Sequence, residues 1–304
     1  MLKLIKILFL ILLANVVYSQ QLPQLSQRIV NQMIFNPAAT GINPSDEIML
    51  QHRSQWLGFE NAPMTQTLSY NGKLLDYMGI GGSVTNDITG PTRRLCFQAN
   101  YAYHVKFETI TLSLGLSGTI MQYGIDGRNI TLYDKTDPSI QEDISDRAWK
   151  PDASFGAYVY NDNFYVGLSF LQILPSKVKL YNDDYTGEVP LVNHFYITSG
   201  YHIIIDDEFT LTPSFMFNST FSSPSQLDIN ARVDYQKKVF GAISYRYNDA
   251  IVLMAGITIK QQFNISYSYD IVTSSLRTYN SGSHEIVLSF LLPDNSTKDG
   301  SSLL

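Results

Sequence analysis

Side chains able to do chemistry are few in this chain, and their spacing serves no familiar reaction. His52, His104, His194 and His202, with Glu285, are the candidates for metal or acid-base work. His194 and His202 fall on one face of one predicted strand, but eight residues of strand cover roughly 26 Å, too far to share a metal. No G-x-S-x-G elbow or H-E-x-x-H helix is present. Asp126-Gly127-Arg128-Asn129 opens like a calcium loop, yet the bidentate Glu at its twelfth position is missing, and it reads as a turn. Met78-Gly79-Ile80-Gly81-Gly82 lies inside a predicted strand, where glycine marks a bend or a close backbone approach rather than a nucleotide site. The single cysteine, Cys96, excludes an internal disulfide and a thiolate zinc site. The expectation is a protein that is not an enzyme and needs neither cofactor nor metal.

Arginines on strands carry more information. Arg53, Arg93, Arg232 and Arg246 are expected on the polar faces of strands. Such residues either line an aqueous lumen or pair with Asp228, Asp234 or Asp270 inside a plugged barrel and hold it shut. Cys96 is expected on the same inner face as a small buried residue.

The elements that must position these residues are strands. From Thr109 to Ile120, Ile110, Leu112, Leu114, Leu116 and Ile120 alternate with Thr and Ser. Strict alternation is the mark of a strand with two unlike faces. The same pattern runs through 95–106, 227–236 and 263–272, and weaker versions fill 47–56, 65–71, 77–87, 152–160, 164–172, 194–204, 209–218, 239–248, 250–260 and 285–292. The total is 14 strands of the length a tilted membrane strand needs, about 9 to 11 residues. Short polar links (161–163, 206–208, 236–238, 261–262) alternate with longer ones (124–151, 173–192, 219–225, 273–282), as an up-and-down barrel with a turn end and a loop end demands. Both chain ends are then expected at the turn end, the periplasmic one in a bacterial outer membrane, and the short link Asn248-Asp249 is the one exception at the loop end. Tyr101, Tyr103, Tyr267 and Tyr269 near strand ends suit a lipid boundary. On this reading Leu114→Arg, facing lipid, costs about 2 to 4 kcal/mol, and Ser113→Arg, facing inward, costs less.

Composition agrees. The 304 residues are 44% hydrophobic and 16% charged, with a formal net charge of −6, so there is no basic field and nucleic acid is not an expected partner. Residues 1–19 read as a secretory signal peptide: Lys3 and Lys6 precede an apolar run from Ile7 to Leu13, and Val17 and Ser19 are small residues before a cut at Gln20. Residues 20–46 are expected to be an N-terminal periplasmic or plug segment, 47–292 an all-β transmembrane antiparallel barrel, and 293–304 a polar tail. Gln24 to Gly41, rich in amides and without alternation, is expected to tuck into the barrel from the periplasmic side. Within it Asn36 is pushed to extended geometry by Pro37, and Gly41 is free to take positive φ.

The motifs occur in a distinctive order. Pro23-Gln24-Leu25-Ser26-Gln27 and Phe35-Asn36-Pro37-Ala38-Ala39-Thr40-Gly41 come first, then Arg53-Ser54-Gln55-Trp56-Leu57-Gly58-Phe59. Ala62-Pro63-Met64-Thr65-Gln66-Thr67-Leu68-Ser69 and Asn86-Asp87-Ile88-Thr89-Gly90-Pro91-Thr92 follow. Tyr245-Arg246-Tyr247-Asn248-Asp249-Ala250, Tyr267-Ser268-Tyr269-Asp270 and Gly282-Ser283-His284-Glu285-Ile286 close the series. This series resembles the PorP/SprF family of Bacteroidetes outer-membrane proteins associated with type IX secretion and gliding motility. The resemblance implies an outer-membrane barrel, in contact with membrane lipid and the type IX machinery. Its implied role is to help export or hold a large secreted surface protein, such as an adhesin, with its own C-terminal sorting domain. It marks Asn36, Pro37, Gly41, Arg53, Gln55, Trp56, Gly58, Phe59, Pro63, Gln66, Asn86, Asp87, Gly90, Pro91, Arg246, Asp249, Asp270, Gly282, His284 and Glu285 as residues of structural or partner importance. Trp56 to Ala62 is expected to be an outer turn. Residues 126–190 carry no family motif, so partner specificity is expected in those loops. The alternative is a channel or transporter for small or apolar solutes.

Overall fold

The computed structural model describes residues 22–126, 145–175, 177–179, 188–220 and 223–292. The expected signal peptide, most of the calcium-like turn and the polar tail lie outside the described residues. The strands in chain order are β1 (Glu47–Ser54), β2 (Met64–Leu75), β3 (Met78–Thr89), β4 (Thr92–Lys106), β5 (Thr111–Asp126) and β6 (Ser145–Tyr160). β7 (Phe164–Leu171), β8 (Lys177–Lys179), β9 (Glu188–Pro190), β10 (His194–Tyr201), β11 (Ile203–Ile204) and β12 (Phe209–Ser219) follow. The last five are β13 (Gln226–Tyr235), β14 (Val239–Arg246), β15 (Ala250–Ile259), β16 (Phe263–Val272) and β17 (Ser283–Leu291).

Pairing is antiparallel throughout and closes on itself. β1 pairs with both β2 and β17, and β10 bridges β7 to β12. β11 continues β10 beyond an interruption at His202, and both pair with β12. The result is a closed barrel of 14 staves, with each expected strand present. β8 and β9 form a separate hairpin at the loop end, where Val178 is buried against Tyr123. No helix among the described residues is long and apolar enough to cross a membrane. A closed barrel satisfies every ladder N–H and C=O without water, which the hydrocarbon demands.

Burial is inverted relative to a soluble fold. In β5, Ser113 and Ser117 are buried while Leu114 and Leu116 are exposed. The same holds for Ser266 and Ser268 against Ile265 and Tyr267, and for Glu285 against Ile286. Exposed Tyr77, Tyr103, Tyr201 and Tyr235 lie near the turn end, and Trp149, Tyr245 and Tyr247 near the loop end. Two aromatic levels of this kind suit the two faces of a bilayer.

The details depart from the sequence reading in four places. β4, β5 and β6 run to 15 or 16 residues, and β6 pairs with β7 only from Phe155 to Tyr160, so the β5–β6 hairpin stands above its neighbour at the loop end. β3 and β4 are joined by Gly90 and Pro91 alone, a second short link at the loop end beside the one at Asn248-Asp249. Arg93 lies on the outer face, because β4 begins at Thr92 and alternation puts Arg94, not Arg93, inside. Finally, the described chain does not begin at the turn end. Gln24 donates from Nε2 to Gln226 Oε1 at 2.9 Å and Asp249 Oδ2 at 3.3 Å, both at the loop mouth. From there residues 25–46 pass down the lumen to β1 at the turn end.

That passage changes the expected mildness of Ser113→Arg. The Ser113 hydroxyl donates to the Ala38 carbonyl of the lumenal segment at 2.7 Å and has no exposure, so a guanidinium has no space there. Leu114→Arg is expected to lower unfolding free energy in lipid by about 2 to 4 kcal/mol, and Ser113→Arg by at least as much. Urea unfolding in vesicles measures both; a mild effect at Ser113 would contradict the lumenal path.

Candidate functional site

The site is the contact between the lumenal segment and the barrel wall. Its upper part, near the loop mouth, is a buried cluster of charges. Three guanidinium groups, of Arg28, Arg53 and Arg246, face four carboxylates, of Asp228, Asp249, Asp270 and Glu285. Arg53 Nη2 reaches Asp270 Oδ2 at 2.8 Å, and Arg246 Nη1 reaches the same oxygen at 3.3 Å. Arg28 pairs with Asp228 at 3.3 Å, and Arg246 with Asp228 at 3.5 Å and with Asp249 at 3.2 Å at the rim.

The segment itself completes the cluster. Glu285 accepts the backbone N–H groups of Ser26 at 2.6 Å and Gln27 at 2.9 Å, the Gln51 amide at 2.7 Å, and Arg53 Nη1 at 3.4 Å. The Ser26 hydroxyl donates to Asp270 at 2.6 Å and accepts from Arg53 Nη1. Arg246 Nη2 also holds the Leu25 carbonyl at 3.3 Å. Charge-assisted bonds of this kind are roughly twice as strong as neutral ones. The Arg53, Arg246, Asp270 and Glu285 side chains are at most 2% exposed. At that depth an unpaired charge is costly, so each member depends on the others.

The lower part is a steric seat. Asn36 is extended (φ −145, ψ 107) and caps a short 3-10 turn at Pro37–Ala39, its side chain accepting from Ala38 N at 2.9 Å. Its Nδ2 donates to the carbonyls of Ala157 and Leu168, at 3.3 and 3.2 Å. Ser169 Oγ donates to Phe35 O at 2.5 Å, and Asn100 Nδ2 to Met33 O at 3.2 Å. The wall opposite lacks side chains where the turn presses on it. A Cβ at Gly115 would stand 2.2 Å from Ala38 N, and one at Gly156 2.0 Å from Asn36 Oδ1. Gly41 has φ +73, with its N–H on Asn71 Oδ1 at 2.8 Å, and its backbone touches Gly79. The glycine cluster in β3 is thus a close approach and not a bend.

The residues singled out from sequence separate into four groups, with Asp87 and Arg232 apart from them. Asn36, Pro37 and Gly41 lie in the seat; Arg53, Arg246, Asp249, Asp270 and Glu285 meet in the charge cluster. Gln55, Trp56, Gly58, Phe59, Pro63, Gly90, Pro91 and Gly282 build the loop mouth. There Trp56 N donates to Ser283 Oγ, Leu57 N to Gly282 O, Gln55 N to Pro63 O, and Gly90 N to Asn61 O. Gln66, Asn86 and His284 sit on the outer face: Asn86 links Gln66 to Arg93, and His284 Nδ1 meets the Tyr267 hydroxyl at 2.5 Å. Asp87 points inward to Thr65 and Arg94. Arg232 pairs with Asp234 at 2.6 Å, apart from the cluster. Sequence reasoning missed Arg28, Gln51, Gly115 and Gly156. Arg28 carried a signal, being the sole charge in residues 22–45. Among the described residues no three His, Cys, Asp or Glu side chains are grouped to hold a metal.

Closure, polar inside, apolar outside and a threaded lumen define a transmembrane β-barrel of outer-membrane type. Residues 17–290 match the family model of the type IX secretion system membrane protein PorP/SprF, and the chain belongs to that family. The toluene transporter TbuX of Ralstonia pickettii shares the fold: TM-score 0.53 at 12% identity, over 85% of this chain and 92% of that one. A Pseudomonas aeruginosa FadL homologue is similar at TM-score 0.48 and 11% identity, over 90% of this chain and 94% of that one. The Acinetobacter baumannii outer membrane protein Omp33 is similar at 0.49 and 9%, over 82% and 98%. No curated protein sequence matches this chain.

Asp270→Asn removes the anion shared by Arg53 and Arg246 and is expected to destabilise the barrel by about 3 to 5 kcal/mol. Gly115→Ala is expected to cost about 1 to 3 kcal/mol through overpacking against Ala38, whereas Gly118→Ala, whose Cβ meets nothing within 4 Å, stays within about 0.5 kcal/mol. Denaturant midpoints of the folded gel band measure all three.

Proposed function

We propose that this barrel is a non-enzymatic component of type IX secretion, and that it supports export or surface attachment of a large secreted protein bearing a C-terminal sorting domain. The loop mouth is the docking face in this reading, and it points away from the cell. Its N-terminal signal delivers the chain for assembly in the outer membrane, with lipid around the staves and the secretion machinery at the turn end.

One observation carries the proposal beyond family membership. Eight motif residues outside the charge cluster and the seat (Gln55, Trp56, Gly58, Phe59, Pro63, Gly90, Pro91 and Gly282) build the loop mouth, and Gln55, Trp56 and Pro63 line a hollow of about 770 Å³ there together with Gln24, Tyr247 and Asp249. A lumen threaded by residues 25–46 supports a scaffold over an open pore, since the polar wall spends its hydrogen bonds on the segment and not on solutes. That TbuX is a toluene transporter is a property of that protein.

Affinity purification from cells expressing the full secretion system tests the reading. The wild-type barrel is expected to bring down a very large secreted protein, and the double variant Trp56→Ala/Phe59→Ala to lose it while remaining folded; absence of any such partner, or its equal recovery with the variant, would overturn the proposal. In planar bilayers the wild type is expected to conduct poorly and a chain lacking Gln24–Gly41 to conduct small ions strongly. Equal conductance would contradict the plug.

A further inference from the structure

The tall sheet of β4, β5 and β6 turns two arginines outward near the loop end. Arg93, Gly124 and Arg147 lie side by side in one row of the antiparallel ladder. Both arginines are exposed, and the glycine between them leaves the floor of the row bare. The stem of Arg147 leans over that floor, since a Cβ on Gly124 would stand 3.2 Å from Arg147 Cγ. Arg93 Nε donates to Asn86 Oδ1 at 2.7 Å, and Asn86 donates to Gln66 Oε1 at 3.4 Å. Two motif residues of the outer wall thus set the direction of Arg93 and leave its Nη groups open. Among the described residues neither Arg93 nor Arg147 makes an ion pair, whereas Arg94, facing inward, pairs with Asp87 at 3.2 Å. Asp126, the next outward residue of β5 above Gly124, pairs with neither.

Height and the wall beneath decide what meets these charges. Leu95, Gln122 and Trp149 form the next outward row below, and Trp149 stacks on Phe97 with ring centroids 6.4 Å apart. Trp149 belongs to the aromatic level near the loop end, so Arg147 starts about 7 Å beyond it, among lipid headgroups rather than acyl chains. Below that level the wall is hollowed. Gly82, Ala99 and Gly118 stand opposite one another across β3, β4 and β5, and a Cβ on Gly118 would meet nothing within 4 Å. The result is an outward-facing furrow of about 970 Å³, bounded on the side of the arginines by Val84, Phe97, Ile120 and Pro151. A furrow of this chemistry in the lipid-facing wall takes an acyl chain, and two unpaired cations about 10 Å apart above it attract an anion.

We propose that the outer face of β3 to β6 is a binding site for one phosphorylated lipid of the outer leaflet. The phosphate lies over Gly124 between Arg93 and Arg147, which bind it through charge-assisted N–H bonds. Gln122, one outward step below Gly124, offers its amide to a headgroup oxygen. The missing side chain at Gly124 lets the headgroup approach the sheet, and an acyl chain descends past Phe97 and Ile120 into the furrow. The inference is independent of the secretion reading, since it rests on the outer wall and not on the loop mouth.

The full chain, folded in detergent without bound lipid, is titrated with monophosphoryl lipid A and with the same lipid freed of its phosphate, and complexes are counted by native mass spectrometry. One molecule of the phosphorylated form is expected to bind per barrel, about tenfold tighter than the phosphate-free form. Arg93→Gln/Arg147→Gln is expected to lower affinity for the phosphorylated form about tenfold and to leave the other form unchanged. Gly118→Leu, which fills the furrow, is expected to weaken both forms about tenfold. Arg277→Gln, at an exposed arginine outside the site, is expected to change neither, and inorganic phosphate in large excess to displace little of the lipid. Equal affinity for the two forms, full binding by the double arginine variant or by Gly118→Leu, an equal loss in Arg277→Gln, or complete displacement by inorganic phosphate would each overturn the proposal. If the double variant does not fold, the wild-type comparison of the two lipid forms with inorganic phosphate decides alone.

Discussion

The structure depends on a charge problem and its solution. A barrel in hydrocarbon turns its polar side chains inward, and this one places Arg53, Arg246, Asp270 and Glu285 where water scarcely reaches. Three guanidinium groups and four carboxylates nearly balance, and the remaining demand is met by the backbone N–H groups of Ser26 and Gln27 on Glu285. The wall is therefore incomplete without the segment that threads it. Buried ion pairs of this kind add little net stability against an apolar core, but they penalise every misregistered arrangement heavily. Their effect here is to fix which residue of the segment meets which stave.

Much of the fold was legible because a membrane barrel writes one rule into every stave. Alternation in 109–120 or 263–272 gives strand, length and face together, and lipid outside makes the apolar face continuous around the ring. What escaped were features set by neighbours in space. The height of β5 and β6 beyond β7 depends on pairing partners, not on the residues of the strands alone. Arg93 and Arg94 differ only in parity, which hinges on a strand starting at Thr92. Gly115 and Gly156 read as ordinary glycines until the turn at Pro37–Ala39 is seen pressing on them. The direction of the lumenal segment was likewise invisible, because nothing local distinguishes entry at one mouth from entry at the other.

The motif residues make sense once sorted by place. Asn36, Pro37 and Gly41 shape a compact turn that fits a wall bare of side chains, and Arg53, Asp270 and Glu285 lock the chain above it. Gln55 to Pro63, Gly90-Pro91 and Gly282 knit the loop mouth through backbone hydrogen bonds. The first two groups close the lumen; the third forms the surface offered to a partner. A rigid, filled barrel suits a docking role, since a partner pulling on the mouth meets staves braced from within.

Amide hydrogen exchange of the lumenal segment in the intact, membrane-embedded protein tests this account most directly. The N–H groups of Ser26, Gln27, Ala38 and Gly41 each have a partner in the structure. They are expected to exchange as slowly as the ladder amides of β1 and β17, because release requires the same opening. Exchange at unstructured-peptide rates while the ladder stays protected would contradict it, leaving a barrel whose inner charges are balanced by something other than its own chain.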